Sequence, residues 1–213
     1  SFLYNLLFLE YVVFYFVKLF SGSIKSSMDF LAYYINNPQA FFLIGRITVA
    51  LLATFSVYII YLLNKRLVNR FSGLLAASFL AFSLLHVNLA HVIKEEVIYV
   101  FLLLLSFLCV ICARKNNKLF YLAAFIIGVA ISVKYLSILG MVFILSGYFI
   151  EKRSVREIVK DAIFMCLLTI FGFFICQPLA LFNISNFLGT IFSLKSLVFD
   201  KPIGDSGGPS WYL

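Results

Sequence analysis

The sequence predicts an all-α fold, a polytopic bundle of transmembrane helices, on three observations. Of its 213 residues 63% are hydrophobic and only 12% are charged, too little polar surface for a soluble domain of this size. The apolar residues fall in long unbroken runs, without the alternation of half-buried strands. Ten of the 17 Lys and Arg residues gather in three short clusters between those runs, as in loops that face a cytoplasm. The same clustering argues against a nucleic-acid partner, because the net charge of +8 is divided among separate loops.

A span needs roughly 20 apolar residues at 1.5 Å each to cross about 30 Å of hydrocarbon. The first apolar stretch, Phe2 to Phe20, is long enough but carries Asn5 and Glu10, so it reads either as a span or as an amphipathic element lying along the interface. It lacks the basic n-region and the small-residue cleavage site of a signal peptide. Phe41 to Leu63, Phe71 to His91, Val97 to Ala113 and Ala162 to about Phe182 each qualify as spans.

The stretch Leu119 to Ile150 would run about 48 Å as one helix, with Lys134 near its middle. A lysine at mid-bilayer costs on the order of 3 kcal/mol or more. A helical hairpin that breaks near Ser132 to Ser137 carries that ammonium to an interface. The basic clusters favour the hairpin: Lys65, Arg66 and Arg70, then Arg114, Lys115 and Lys118, then Lys152, Arg153, Arg156 and Lys160 all fall on one side of the membrane only if the chain turns back at Lys134. Residues 1–40 are then the end of a first external loop with its interfacial or spanning helix, 41–182 the transmembrane bundle, and 183–213 an external loop leading to a further span.

The loudest string is Gly-Asp-Ser-Gly-Gly-Pro at 204–209, which surrounds the nucleophile of chymotrypsin-like proteases. His91, Asp161 and Ser206 even follow that chain order. A triad needs the three groups to converge on a scaffold that also supplies an oxyanion hole, and membrane helices are not the two β-barrels of those enzymes. Cys109, Cys112, Cys166 and Cys176 all lie inside apolar runs and read as small core residues.

The face predicted to be external gathers His91, Glu95, Glu96 and Lys134, in a chain with only nine acidic residues. Adjacent carboxylates where a helix enters the bilayer suit a general base or a metal ligand, and equally suit the positive end of a helix dipole. Lys134 has no counter-ion near it in sequence, so it either snorkels to the interface or pairs with Glu95 or Glu96 across the bundle, or with the phosphate of a lipid headgroup. Arg46, near the outer end of its span, raises the same question. His91 and Glu95 have the i, i+4 spacing of a metal pair but no third ligand in view, which leaves a divalent cation at His91 or Glu96 open. His86, deeper in its run, reads as a core histidine whose ring nitrogens are satisfied.

Several of these residues stand in an order that resembles bacterial GT-C glycosyltransferases of the protein-mannosyltransferase and aminoarabinose-transferase type. The marks are Gly45-Arg46 opening a span, Leu85-His86-Val87 through His91 closing the next, Glu96 at the following helix start, and Lys134-Tyr135 after a Gly-containing apolar helix; they cover about residues 38 to 150. The resemblance implies transfer of a sugar from a polyprenyl-phosphate carrier to an acceptor glycan, lipid or protein, outside a bacterial inner membrane. It implies that Lys134 meets the carrier phosphate, with Tyr135 as its aromatic neighbour. Glu96 falls where the family usually has an Asp followed by Val-Pro, and here the run is Glu96-Val97-Ile98. It further implies that the main catalytic acid lies upstream of Ser1, that this stretch alone is inactive, and that Ser206 sits in a glycine-rich external loop. The rival class is a transporter or lipid flippase, in which intramembrane charges mark a substrate path.

Overall fold

The computed structural model describes residues 2–113, 117–149, 155–178 and 189. Among them there is no strand. The helices are α1 (Phe2–Phe20), α2 (Ser27–Asn36), α3 (Pro38–Leu67), α4 (Arg70–Ala81), α5 (Leu84–Ala90), α6 (Glu95–Ala113) and α7 (Asn117–Val133). A 3₁₀ turn (Tyr135–Ile138) then leads to α8 (Leu139–Phe149) and α9 (Val155–Cys176). Four helices are long and apolar enough to cross a membrane, and a fifth span is made if the bent pair α4–α5 counts as one. This is the all-α polytopic bundle expected.

Helix α7 is the centre of the bundle, packed between α6 and α9. Its faces are built from small residues, with Ala123, Ala124 and Ala130 fully buried, so neighbouring backbones approach closely. A Cβ on Gly128 would collide with the Thr169 carbonyl of α9, and one on Gly172 would lie 2.5 Å from the Phe125 carbonyl of α7. Two hydroxyls join the helices: Ser106 Oγ donates to the Ala123 carbonyl at 3.2 Å, and Thr169 Oγ1 to the Ala124 carbonyl at 3.0 Å. A second seam, with Val49, Ala53 and Val97 buried, joins α3 to α6.

The hairpin predicted for Leu119 to Ile150 is present. Lys134 is extended, with φ −146° and ψ 119°, and α8 then runs back along α7. Gly140 lies against Ile127 and Gly147 against Phe120, an antiparallel register. The ammonium is thereby placed at one end of the bundle. At the opposite end, Arg66 Nη1 reaches Cys112 Sγ at 2.7 Å and the Tyr148 hydroxyl donates to Asp161. The described basic residues Lys65, Arg66, Arg70, Lys118, Arg156 and Lys160 belong to helix ends on that opposite side.

Three expectations are corrected. Phe71 to His91 is not one straight span: α4 and α5 are bent by 61°. Ser83 causes the break, because its hydroxyl accepts from the His86 backbone N–H and starts a new helix, while His86 Nε2 lies 3.3 Å from the Ala53 carbonyl and ties α5 to α3. The last span begins earlier, at Val155, and its predicted end at Phe182 lies outside the described residues, as do Ser206 and the whole 183–213 loop apart from Gly189. Of the cysteines, Cys109 and Cys176 are buried as expected, but Cys166 is exposed on α9.

Among the described residues, the side-chain hydrogen bonds from α1 to other helices lie at the Lys134 end. Asn5 Nδ2 donates to the Cys176 carbonyl at the end of α9 at 2.5 Å, and the Tyr11 hydroxyl is 3.5 Å from the Phe41 carbonyl in the first turn of α3. A Cβ on Gly45 would lie 3.0 Å from Leu7 and 2.7 Å from Ile93, so α1 also touches the turn that precedes α6.

Candidate functional site

Glu95 and Glu96 occupy the first turn of α6, where carboxylates meet the positive end of the helix dipole. Val97 and Ile98, the next two residues, are buried and fix this turn against the bundle. On the facing element, the Lys134 backbone N–H donates to the Ala130 carbonyl at 2.9 Å as the last bond of α7. The chain then turns, and the Lys134 side chain leaves the helix end toward α6.

Lys134 Nζ stands 3.6 Å from Glu96 Oε1 and 5.1 Å from the centre of the Tyr99 ring. Glu96 and Tyr99 are three apart on α6, so they share one face and hold the ammonium between a carboxylate and an aromatic surface. Both charged side chains remain about two-fifths exposed, at 42% and 40%. The ion pair is therefore open to a competing anion.

An apolar groove of about 400 Å³ starts at Tyr99 and continues between α6 and α8, past Leu103, Phe107, Leu139 and Phe143. The Phe107 and Phe143 rings lie 4.2 Å apart, centre to centre. Ser137 also lines the groove. It stands on the 3₁₀ turn that follows Lys134, and its backbone N–H donates to the Lys134 carbonyl at 3.0 Å. Its hydroxyl is buried and has no hydrogen-bond partner among the described residues. A half-exposed cation at the mouth of an apolar trough suits an anionic amphiphile.

The other predicted site residues are spread around this pair. Tyr135 opens the 3₁₀ turn beside Lys134 and is 40% exposed. His91 caps the C-terminus of α5, where its Nδ1 donates to the Val87 carbonyl at 2.7 Å. Arg46 is exposed on α3, next to Gly45, whose packed face takes Ile93. No three His, Cys, Asp or Glu side chains gather into a metal-binding set among the described residues. The protease triad fails on geometry: His91 belongs to the Lys134 end and Asp161, bonded to Tyr148, to the other. Tyr99 and Ser137 were not foreseen. The sequence signal for Tyr99 was its i+3 spacing from Glu96 on one helix, whereas Ser137 had none.

A family model described as dolichyl-phosphate-mannose-protein mannosyltransferase matches residues 40–182. The chain belongs to that mannosyltransferase family. It is accordingly an integral membrane protein and a membrane glycosyltransferase of the mannosyltransferase type, in keeping with the GT-C resemblance. The family match takes in α3 to α9 and with them Glu96, Tyr99, Lys134 and the groove. No curated protein and no solved structure matches the chain.

Proposed function

We propose that this mannosyltransferase-family protein transfers a sugar from a polyprenyl-phosphate-linked donor to an acceptor on the extracytoplasmic side of a bacterial inner membrane. One observation carries the reading: Lys134 stands at the mouth of an apolar groove and faces an ion-pair partner that an incoming phosphate can displace. The carrier phosphate binds Lys134 as a point charge, and the unpartnered Ser137 hydroxyl donates to a phosphate oxygen. The isoprenoid chain follows the groove between α6 and α8. As the glycosyl bond breaks, negative charge grows on the leaving phosphate, and a fixed ammonium there stabilises the transition state.

The acceptor hydroxyl must also lose a proton. Glu96, freed from Lys134 by the phosphate, and Glu95 beside it are the carboxylates at this point that orient substrate and can take up that proton. Sidedness is supported by charge, because Lys- and Arg-rich helix ends face the cytoplasm and Lys134 belongs to the opposite end.

The test replaces Lys134 and Glu96 separately with Ala in the full-length protein and follows transfer from a radiolabelled polyprenyl-phosphate sugar. Loss of transfer with expression and melting temperature intact supports the assignment. Transfer retained in both variants overturns it, and a protein that moves the lipid without transferring sugar belongs to the transporter class instead.

A further inference from the structure

We propose that the pocket at the α2–α3 junction is a carbohydrate subsite that holds an outer sugar of a neutral acceptor glycan. That the glycan is an acceptor rests on the transferase reading; that the ligand is a carbohydrate rests on the lining of the pocket. The stretch Asn36-Asn37-Pro38-Gln39 ends α2 and begins α3 with no intervening loop. Three carboxamides consequently line one pocket of about 460 Å³, with Tyr33 and Leu43 as apolar walls.

The chemistry of that lining is selective. A carboxamide offers two N–H donors and a carbonyl acceptor without charge, which matches hydroxyl groups that must both give and accept hydrogen bonds. Aromatic and aliphatic walls match the C–H face of a pyranose ring. None of the lining residues is charged, so the lining itself offers no cation to a phosphate or carboxylate ligand. Its volume falls in the range of roughly 300–1,000 Å³ usual for small-ligand sites.

The walls are also held still, which a weak polar ligand requires. Phe41 is 2% exposed and sits in an edge-to-face cluster, its ring centre 4.8 Å from Tyr34, 5.1 Å from Tyr11, 5.4 Å from Phe14 and 5.5 Å from Phe30. Rings from α1, α2 and α3 thus clamp the junction. Lys18 Nζ lies 4.7 Å from the centre of the Tyr33 ring and braces that wall. Asn37 Nδ2 donates to the Tyr33 carbonyl at 3.3 Å, whereas Asn36 and Gln39 are exposed.

The pocket lies at the same end of the bundle as Lys134. Gln39 precedes Gly45 by six residues, about 9 Å of helix, and Gly45 packs on Ile93 in the turn that leads to Glu95 and Glu96. The sugar in the pocket is therefore an outer residue of the glycan, and the hydroxyl that receives the transfer lies further in.

The experiment measures binding without turnover. Full-length protein in nanodiscs is titrated with mannotriose, maltotriose, globotriose and chitotriose. The wild type is expected to bind at least one, and the double variant Asn36→Ala/Gln39→Ala at least tenfold more weakly. Both altered carboxamides are exposed, and an unchanged melting temperature confirms the fold; Leu43→Trp, which fills the pocket, supplies a second variant with the same expected loss. If no trisaccharide binds, or if both pocket variants bind like the wild type, the subsite is refuted. Glycan binding that survives in a protein with no transfer activity would uphold the subsite while removing the transferase reading.

Discussion

Replacing Glu96 with Gln separates two roles that the ion pair combines. At 3.6 Å the Coulomb attraction to Lys134 is about 5 kcal/mol for an effective dielectric constant of ~20 and about 1 kcal/mol in water. Both side chains are about two-fifths exposed, so the net value falls in the range of about 0.2–1 kcal/mol measured for exposed pairs. The fold therefore loses no more than ~1 kcal/mol. The carrier phosphate gains the same amount, because it no longer displaces a carboxylate, and ~1 kcal/mol corresponds to about fivefold in affinity. Equilibrium binding of polyprenyl phosphate to the full-length protein should thus tighten by about 1.4- to fivefold in Glu96→Gln, with the gain shrinking as salt is raised, while sugar transfer falls. Unchanged or weaker binding would refute the competition.

Four further outcomes follow from other parts of the molecule. Lys134→Met should weaken carrier binding by about 10- to 150-fold, the value of a charge-assisted contact of about 1.5–3 kcal/mol, with little change in melting temperature. Gly128→Ala forces a methyl group against the Thr169 carbonyl and should destabilise the α7–α9 contact by about 1–3 kcal/mol, read as a lower melting temperature in detergent. Tyr148→Phe removes the donor to Asp161 and should cost about 1–3 kcal/mol, whereas Asp161→Asn, which keeps an acceptor, should cost less. Asp29 accepts from the backbone N–H groups of Lys25 and Ser26, both at 3.0 Å, and these bonds hold its pKa below the ordinary 3.8. Its contribution to α2 is present above that ordinary value and is lost as pH falls through the lower folded value; amide exchange should show the start of α2 opening there and not at neutral pH.

The charged half of the site was legible because charge is scarce in this chain. A lone lysine within the otherwise uncharged stretch Leu119 to Ile150 had to reach an interface, and that requirement together with the sidedness of the basic clusters located the break in the hairpin. Adjacent glutamates before an apolar run marked the start of α6 for an equally local reason. The groove had no such signature, since it arises from α6 and α8 lying side by side and its residues are the same Leu and Phe found throughout the spans. Ser83 was ambiguous for a related reason: within an apolar run, a serine can pack in a helix or cap a new one, and the His86 contact with α3 decides between them. The string Asn36-Asn37-Pro38-Gln39 carried no signal of its own, because neither the aromatic cluster that clamps it nor the pocket it forms is visible until segments some thirty residues apart are brought together.

The most direct test is a photo-crosslinking measurement on the full-length protein, with a polyprenyl phosphate that carries a diazirine in its first isoprene units. The account predicts labelled peptides from α6 and α8 around Leu103, Phe107 and Phe143, with the labelling abolished by Lys134→Met. Labelling concentrated on the exposed face of α9, at Phe171 for example, or a pattern indifferent to Lys134, would contradict it.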